Sequence, residues 1–280
     1  MDGLVLVNNP QSVYCGTTYL RDMFALYKFR RGDSQGSDWD RKYAEEPSAD
    51  LEHYRAQPFV RTILRSLPVR SRILDAGCGT GGLLRFLKQR GSDVVGVDSS
   101  RVAIETLRRL TPDIPAQVAS IERLPFPDAS FDAYLAIGSW EYPADGPQRA
   151  AAEAVRVLRP GGLAFIEVPH ANFVRRLLYL PLKRLEHTVR SRRSLFSHHL
   201  FSRPDMRALL RGNRFEILEE HPHDLPEPTR HYGLWVDWPI LRGGPHYELN
   251  ALGRWKKRVL NAISPWTIAT GMFIVARKLA

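Results

Sequence analysis

Five residues between positions 75 and 98 have types and spacing that suit the binding of a nucleoside. Asp75, Gly77, Gly79 and Gly81 follow a short apolar run, and Asp98 closes the next apolar run 19 residues after Gly79. Glycines after a strand let the backbone turn tightly and approach a ligand closely, and the helix that follows directs its free N–H groups into the same space. A carboxylate at the end of the neighbouring strand can accept hydrogen bonds from both hydroxyls of a ribose. The spacing therefore predicts a cofactor that contains a nucleoside.

The glycines alone do not decide which nucleoside is bound. Gly77, Gly79 and Gly82 also satisfy G-x-G-x-x-G, the pattern of dinucleotide-binding turns. A glycine turn without any ligand is a third interpretation, which the surrounding strand, turn, helix, strand and acid disfavour. Cys78 inside the turn is interpreted as a small packed side chain rather than a reactive thiol.

Strands and helices are predicted to alternate around these residues. The predicted strands cover 72–75, 93–98, 116–119, 131–138, 163–168, 215–218 and 271–276, and the clearest helices cover 58–67, 102–110, 148–158 and 202–212. Apolar strands without a polar face indicate a parallel sheet that is covered by helices. The sequence therefore predicts an α/β fold with a mostly parallel sheet, helices on both faces and an antiparallel edge strand.

The chain is predicted to contain one domain with additions. Residues 1–37 are interpreted as an N-terminal extension, with a basic amphipathic helix around Tyr19 to Arg31. Residues 38–280 are interpreted as a single domain with substrate-side inserts at about 171–200 and 221–266. The first insert is basic and is predicted to be partly helical, and the second is predicted to be irregular cover.

Several motifs resemble those of one enzyme family. ILDAGCGTGG, together with Asp98 in VVGVDSS, resembles the first two motifs of the class I S-adenosylmethionine-dependent methyltransferases. LPFPDASFD at 124–132 and AVRVLRPGGLAFIEV at 154–168 are similar to later segments of that family, in its order and at its spacing. The resemblance is nearest to the small-molecule branch, which includes quinone, sterol and sugar methyltransferases. It implies a Rossmann-like seven-stranded sheet, S-adenosylmethionine as cofactor and methyl transfer as the reaction.

The resemblance also implies which residues contact the cofactor. Gly77, Gly79 and Gly81 would pass under its methionine and ribose, Asp75 would orient its amino group, and Asp98 would hold the ribose hydroxyls. Loops after the later strands would contact the adenine through Ser99, Ser120, Ile121 and Glu122, and the amino-acid end through Ile137 and Gly138. The family often has Asp at the place of Ser120, so this contact to the adenine is expected to be weaker. No residue is predicted to bind a metal.

A base is needed if the acceptor is a hydroxyl that must lose a proton. His170 follows the fifth predicted strand at its carboxyl end, where ligands gather in such sheets. His198 and His199 precede the next helix and are further catalytic candidates, although each of the three histidines also fits a structural role. Glu141 and Tyr142 stand where related sequences often have a Glu-His pair.

Aromatic residues outside the motifs allow more than one interpretation. Trp39 and Tyr43, which precede the first motif, either cover the cofactor or dock a helix on the core. The tryptophans of the second insert and the C-terminal region line an acceptor pocket, face a membrane or form a small core of their own; they are Trp235, Trp238, Trp255 and Trp266.

The composition excludes some classes of protein and leaves several partners open. With 44% hydrophobic and 25% charged residues, the chain is not mainly disordered. Its net charge of +10 is concentrated at 175–193 and 254–258, which suits an anionic substrate, a peripheral membrane contact or a plain solvated surface. The start of the chain does not resemble a secretory signal, and two cysteines cannot form a four-ligand zinc site. We therefore expect a cytoplasmic protein, with membrane association through the basic inserts left open.

These observations predict an S-adenosylmethionine-dependent methyltransferase for a small molecule, with O-methylation of a hydroxyl in a natural product, sugar, quinone or lipid favoured. A non-catalytic protein that binds the same cofactor, as a regulatory or scaffold subunit, is the alternative. A nucleic-acid methyltransferase is disfavoured, because GSWE at 138–141 replaces the N-P-P-Y or D-P-P-Y tetrad and no Pro-Cys nucleophile is present. A nicotinamide-dependent dehydrogenase ranks last.

Overall fold

The structure, a computed structural model, describes residues 4–7, 24–29, 36–45, 54–55, 57–173, 175–179, 194–223 and 250–280. In chain order these residues form β1 (Leu4–Val7), β2 (Phe24–Phe29), α1 (Gly36–Glu45), α2 (Pro58–Ser66), β3 (Arg72–Ala76), α3 (Gly82–Lys88), β4 (Asp93–Asp98), α4 (Arg101–Leu110), β5 (Ala116–Val118), β6 (Phe131–Ile137), α5 (Gln148–Val157), β7 (Leu158–Pro169), β8 (Ser194–Leu200), α6 (Arg203–Gly212), β9 (Phe215–His223), α7 (Ala251–Ile263) and β10 (Gly271–Lys278). A π-helix covers Arg175–Tyr179, and a 3-10 helix covers Pro265–Thr267.

Seven strands form one sheet in the order β5-β4-β3-β6-β7-β10-β9. The pairs of β3 with β4 and β6, of β4 with β5, and of β6 with β7 are parallel, and an antiparallel strand lies at the edge of the sheet. The predicted architecture is therefore confirmed. In β3 and β4 every residue after the first is buried, as expected for strands that are covered on both faces.

Local sequence explains where the helices around the sheet begin and end. Pro58 stands in the first turn of α2, where its missing N–H costs nothing, and Phe59, Val60 and Ile63 form the buried face of that helix. At the start of α4 the Ser100 hydroxyl accepts a hydrogen bond from the Ala103 N–H at 3.1 Å, which satisfies one of the free donors of that helix end.

A second sheet has three strands in the order β1-β2-β8, with antiparallel pairing throughout. The predicted helix around Tyr19 to Arg31 is wrong over Phe24–Phe29, which is strand β2. The segment FALYKF is rich in aromatic residues, which favour strands, and its backbone groups pair with β8, which is 165 or more residues away in the sequence. Hydrophobic periodicity within one segment carries no information about its partner strands, and therefore it predicts a helix here.

The two inserts contain more regular structure than the composition indicated. Within the first insert, Ser194–Leu200 is a strand. The prediction of irregular cover is wrong for Ala251–Ile263, which is helix α7 and begins where the Asn250 side chain accepts a hydrogen bond from the Gly253 N–H at 2.9 Å. Trp235 and Trp238 lie outside the described residues.

The chain divides into two compact units. The glycine-loop unit comprises residues 32–167, 209–219 and 274–280, and the histidine unit comprises residues 1–31, 168–208 and 220–273. Within the described ranges, no helix has both the length and the apolar composition to cross a membrane.

Candidate functional site

The loop between β3 and α3, which we call the glycine loop (residues 77–81), is tied to the end of β4. The N–H groups of Gly77 and Cys78 both donate to the Val97 carbonyl, at 2.8 and 3.0 Å. Gly77 has a φ of +96°, and a Cβ added there would lie 2.5 Å from the Cβ of Ser139. This position therefore requires glycine both for its backbone conformation and for the approach of the segment after β6.

Asp98 closes the glycine loop from the end of β4. Its two carboxylate oxygens accept hydrogen bonds from the N–H groups of Gly79 and Ser100, each at 2.8 Å. The side chain is buried. The acid predicted to bind a ribose thus also organises the loop that would lie beneath that ribose.

Two buried carboxyl groups make the site electronegative. Burial and the nearby charge of Asp98 raise the pKa of Asp75 to about 7. Burial also raises the pKa of Asp98, against the opposing effect of the hydrogen bonds from Ser100 and Gly79. The pKa of the Cys78 thiol is raised by burial and by both acids, so this thiol stays neutral. A ligand with positive charge would relieve the repulsion between the two carboxylates.

Aromatic residues of α1 lie against the glycine loop. A Cβ added to Gly79 would lie 2.9 Å from the Tyr43 hydroxyl oxygen. The Tyr43 ring stacks on Trp39 at a centroid distance of 5.7 Å, and Trp39 meets Tyr142 edge-on at 4.8 Å. Burial and the charge of Asp98 raise the pKa of Tyr43. The structure therefore brings Trp39 and Tyr43 to the predicted site.

Three further contacts around the loop had no clear indication in the sequence. Asp40 of α1 accepts a hydrogen bond from the Ser100 hydroxyl at 2.5 Å, which fastens α1 to the first residues of α4. The Tyr54 ring stands 2.5 Å from the place of a Cβ on Gly82. A Cβ on Gly81 would collide with Leu107 of α4 at 2.2 Å, so packing against that helix accounts for this glycine.

The predicted adenine segment (residues 120–122) lies at the surface, and α5 holds the backbone that follows it. Ser120 is exposed and its hydroxyl accepts from the Glu122 N–H at 3.1 Å, while Ile121 and Glu122 are half-buried, and Ser99 is exposed after β4. Downstream, the Glu153 carboxylate accepts from the Leu124 N–H at 2.6 Å. The Arg156 guanidinium donates to the carbonyls of Leu124 and Phe126, at 3.0 and 2.7 Å. These bonds fix the backbone that follows the adenine segment.

A buried polar cluster follows β6. Ile137 and Gly138 are half-buried at the strand end, and the Gly138 N–H donates to the Glu167 carbonyl at 3.1 Å. Between the end of β6 and the start of α5, three buried side-chain groups have no hydrogen-bond partner among the described residues: the Ser139 hydroxyl, one carboxyl oxygen of Glu141 and the amide of Gln148. Burial, together with the charge of Glu167, raises the pKa of Glu141 to about 8. Burying a polar atom without a hydrogen-bond partner costs free energy, so these atoms are candidates for contacts to a ligand.

The three histidine candidates all belong to the histidine unit and are all buried. His170 shares a hydrogen bond of 3.1 Å between its Nδ1 and the Phe201 carbonyl, and its ring meets Trp266 edge-on at 5.6 Å. Burial lowers the pKa of His170 to about 4. His198 and His199 lie on β8, in register with Leu26 and Ala25 of β2. The low pKa makes His170 a weak base at neutral pH.

The chain is similar in sequence to known methyltransferases. A family profile described as a methyltransferase domain matches residues 74–166. An uncharacterized methyltransferase of Mycobacterium tuberculosis is 43% identical over 91 residues, which are 32% of this chain and 37% of that protein. A ubiquinone biosynthesis O-methyltransferase of Alkalilimnicola ehrlichii is 33% identical over 48% of this chain and 55% of its own length. The chain thus covers about two fifths to one half of these curated relatives.

The fold also has counterparts among solved structures. A 1,6-didemethyltoxoflavin-N1-methyltransferase of Burkholderia thailandensis, solved with bound 1,6-didemethyltoxoflavin and S-adenosylhomocysteine, has a TM-score of 0.54. The likeness covers 93% of this chain and 97% of that one, at 16% identity. At this identity the comparison supports the fold, and the chemistry has to be argued from the residues of the site.

Proposed function

We propose that this chain, whose residues 74–166 match a methyltransferase domain, is a class I S-adenosylmethionine-dependent methyltransferase that methylates a small-molecule acceptor at a hydroxyl oxygen. The observation that carries the proposal is the carboxylate of Asp98, which lies at the end of β4 and is hydrogen-bonded to the glycine loop. This arrangement offers an acid to a ribose and a close-fitting backbone to the rest of a nucleoside.

The charges of the site favour S-adenosylmethionine over a dinucleotide. S-adenosylmethionine supplies, when bound, a methyl group on a positively charged sulfur, and it also carries an ammonium group. Asp75 and Asp98 are buried acids with raised pKa values, so a cationic ligand would be stabilised beside them. The diphosphate of a nicotinamide dinucleotide would add negative charge to the same place.

Each part of the site has a proposed task. Asp98 holds the ribose hydroxyls, Asp75 orients the ammonium group, and the backbone of Gly77, Gly79 and Gly81 supports the ligand. The adenine contacts are proposed at Ser99, Ser120, Ile121 and Glu122, and the contacts to the amino-acid end at Ile137 and Gly138. The unpartnered atoms of Ser139 and Glu141 are candidates for contacts to the same amino-acid end or to the acceptor.

The acceptor is proposed by analogy and by chemistry. Relatives that match parts of the chain include a malonyl-[acyl-carrier protein] O-methyltransferase, a demethylmenaquinone methyltransferase and a ubiquinone biosynthesis O-methyltransferase. Two of these names refer to quinones, and we propose a small acceptor, which is a quinone, natural product, sugar or lipid. Removal of the hydroxyl proton is assigned to one of His170, His198 and His199. Burial lowers the pKa of His170 to about 4, which makes this residue a poor base at neutral pH. The basic segments at 175–193 and 254–258 remain proposed contacts for an anionic partner.

The first experiment separates cofactor binding from catalysis. We expect calorimetric titration to detect S-adenosylmethionine and S-adenosylhomocysteine but not a nicotinamide dinucleotide. Asp98→Asn should weaken the binding of both ligands at least tenfold, or by about 1.4 kcal/mol. The reason is that an amide cannot accept hydrogen bonds from two N–H groups and also bind two ribose hydroxyls. Asp93→Asn, at the exposed start of the same strand, is the matched control and should bind like the unaltered protein.

The second experiment tests turnover. Labelled S-adenosylmethionine is incubated with the protein and with extracts that contain quinols, lipids or sugars, and labelled product is separated by chromatography. Transfer to a small molecule supports the enzyme. Tight cofactor binding without transfer to any fraction would favour the scaffold alternative, and unchanged affinity in Asp98→Asn would refute the site itself.

A further inference from the structure

Helix α7 carries a row of exposed apolar side chains. Four residues form this apolar stripe, and their exposed fractions are 43% for Leu252, 58% for Trp255, 42% for Val259 and 72% for Ile263. Their spacings are three and four residues, so at 3.6 residues per turn all four lie within an arc of about 80° on the helix. Large apolar side chains that are exposed singly need no explanation, but a continuous row indicates a binding surface.

The helix meets the rest of its unit on another side. Gly253 is the only buried residue of α7, and it lies about 120° around the helix from the centre of the stripe. The helix therefore does not need the stripe for its own packing within the described residues. Its ends are satisfied locally, since Asn250 caps the start and the Ser264 N–H donates to the Leu260 carbonyl at 3.1 Å.

The charges on α7 are all positive. The segment ALGRWKKRVLNAI contains four basic residues and no acidic one. Lys256 and Arg258 lie on the two flanks of the apolar stripe, about 60° and about 100° from its centre. Long basic side chains in these positions can extend towards headgroups while their methylenes cover apolar surface, and a tryptophan beside them suits the boundary between headgroups and acyl chains.

We propose that α7 is an interfacial helix that lies flat on an anionic lipid surface, with the apolar stripe inserted and the flanking cations on lipid phosphates. Anionic lipid matches both features at once, because it takes up apolar side chains and positive charge in the same plane. A second copy of the chain would bring four like charges against four. A nucleic acid would satisfy the cations but leave the stripe in water.

The test uses the full chain and vesicles, without cofactor or acceptor, so its outcome is independent of the proposed methyl transfer. Vesicles of phosphatidylcholine with about 30% phosphatidylglycerol are compared with vesicles of phosphatidylcholine alone, at about 0.05 M and about 0.5 M salt. Co-sedimentation should show binding to the anionic vesicles that weakens with salt. The binding should be reversible, since one helix of about 20 Å gives a small buried area.

Two double variants divide the contribution of the stripe from that of the charges. Trp255→Ser with Val259→Ser should lower partitioning at least about tenfold, because two apolar side chains no longer leave water. Lys256→Gln with Arg258→Gln should lower binding to anionic vesicles by about tenfold or more and remove most of its salt dependence. Val69→Ser, which alters a side chain that is 79% exposed in the glycine-loop unit, is the control and should bind normally.

Circular dichroism and a thermal melt confirm that each variant is folded, which is expected because the altered side chains are exposed or half-buried. Equal binding to neutral and anionic vesicles would overturn the proposal, as would unchanged binding by the stripe variant. A dimer in sedimentation that the stripe variant dissociates, without vesicle binding, would instead assign the surface to a second copy.

Discussion

The carboxyl of Asp75 shows how one residue can link cofactor binding to protonation. Its pKa of about 7 means that the group exchanges between neutral and charged forms near neutral pH. A bound cation would stabilise the charged form, because opposite charges interact strongly in a buried environment. Binding of a cationic cofactor should therefore release a proton from this residue.

The affinity for S-adenosylmethionine should rise with pH as a consequence. Below the pKa of about 7, Asp75 is mostly protonated and must lose its proton before it can pair with the ammonium group. We expect the dissociation constant to fall by up to about tenfold per pH unit below this pKa and to level off above it. Calorimetry in buffers of different ionisation enthalpy measures both the affinity and the proton release.

Asp75→Asn should flatten this pH profile and weaken binding at high pH, while Asp93→Asn should keep the profile of the unaltered protein. The same slope in Asp75→Asn as in the unaltered protein would mean that another group titrates.

At the scale of elements, helix α5 positions the loop that follows the adenine segment. Glu153 and Arg156, one turn apart, together bind both backbone groups of Leu124. Arg156 also reaches the Phe126 carbonyl and the Asp128 carboxylate, the latter at 2.9 Å. The bond from Arg156 lowers the pKa of Glu153, which keeps the carboxylate charged. The adenine segment at 120–122 is thus anchored from its downstream side.

Arg156→Ala should act on cofactor affinity through this loop. We expect S-adenosylhomocysteine to bind about three- to tenfold more weakly, because two carbonyls lose their donor and the loop no longer has one preferred position. Hydrogen exchange should become faster in residues 119–128 while exchange in β3 and β4 stays slow. Arg149→Ala, on the exposed face of the same helix, is the control and should change neither quantity. Equal affinity in the two variants would contradict the positioning role.

At the scale of the whole molecule, the buried acids of the site lower the stability of the fold. A carboxyl whose pKa is higher in the folded than in the unfolded chain binds protons more tightly when folded. Its contribution to stability is therefore fully present below the unfolded pKa and is lost as the pH rises through the folded pKa. For Asp75 that window extends from the ordinary value of 3.8 to about 7.

Asp75→Asn should therefore stabilise the cofactor-free protein at high pH. At about 1.4 kcal/mol per pKa unit, the gain has an upper limit of about 4 kcal/mol at pH about 8 and should vanish near pH about 4. Thermal melts of both proteins across this range measure the difference. A variant less stable than the unaltered protein at every pH would show that the carboxylate contributes more through hydrogen bonds than burial costs it.

Periodicity and glycine placement in the sequence were sufficient to predict the seven-stranded sheet and the position of the glycine loop. The reason is local: buried parallel strands such as β3 and β4 have uninterrupted apolar runs, and a tight turn with φ of +96° at Gly77 tolerates few other residues. The resemblance to known motifs then added the identity of the cofactor.

Contacts between residues far apart in the sequence were decided only by the tertiary structure. Strand β2 exists because of its pairing with β8, and Asp40 and Tyr43 reach Ser100 and Gly79 only when α1 packs near the end of β4. The sequence of α7 has basic and apolar residues in helical spacing, yet only the folded unit shows that its apolar side faces away from the core. Local sequence restricts backbone conformation, whereas burial, partners and raised pKa values depend on which distant segments fold together.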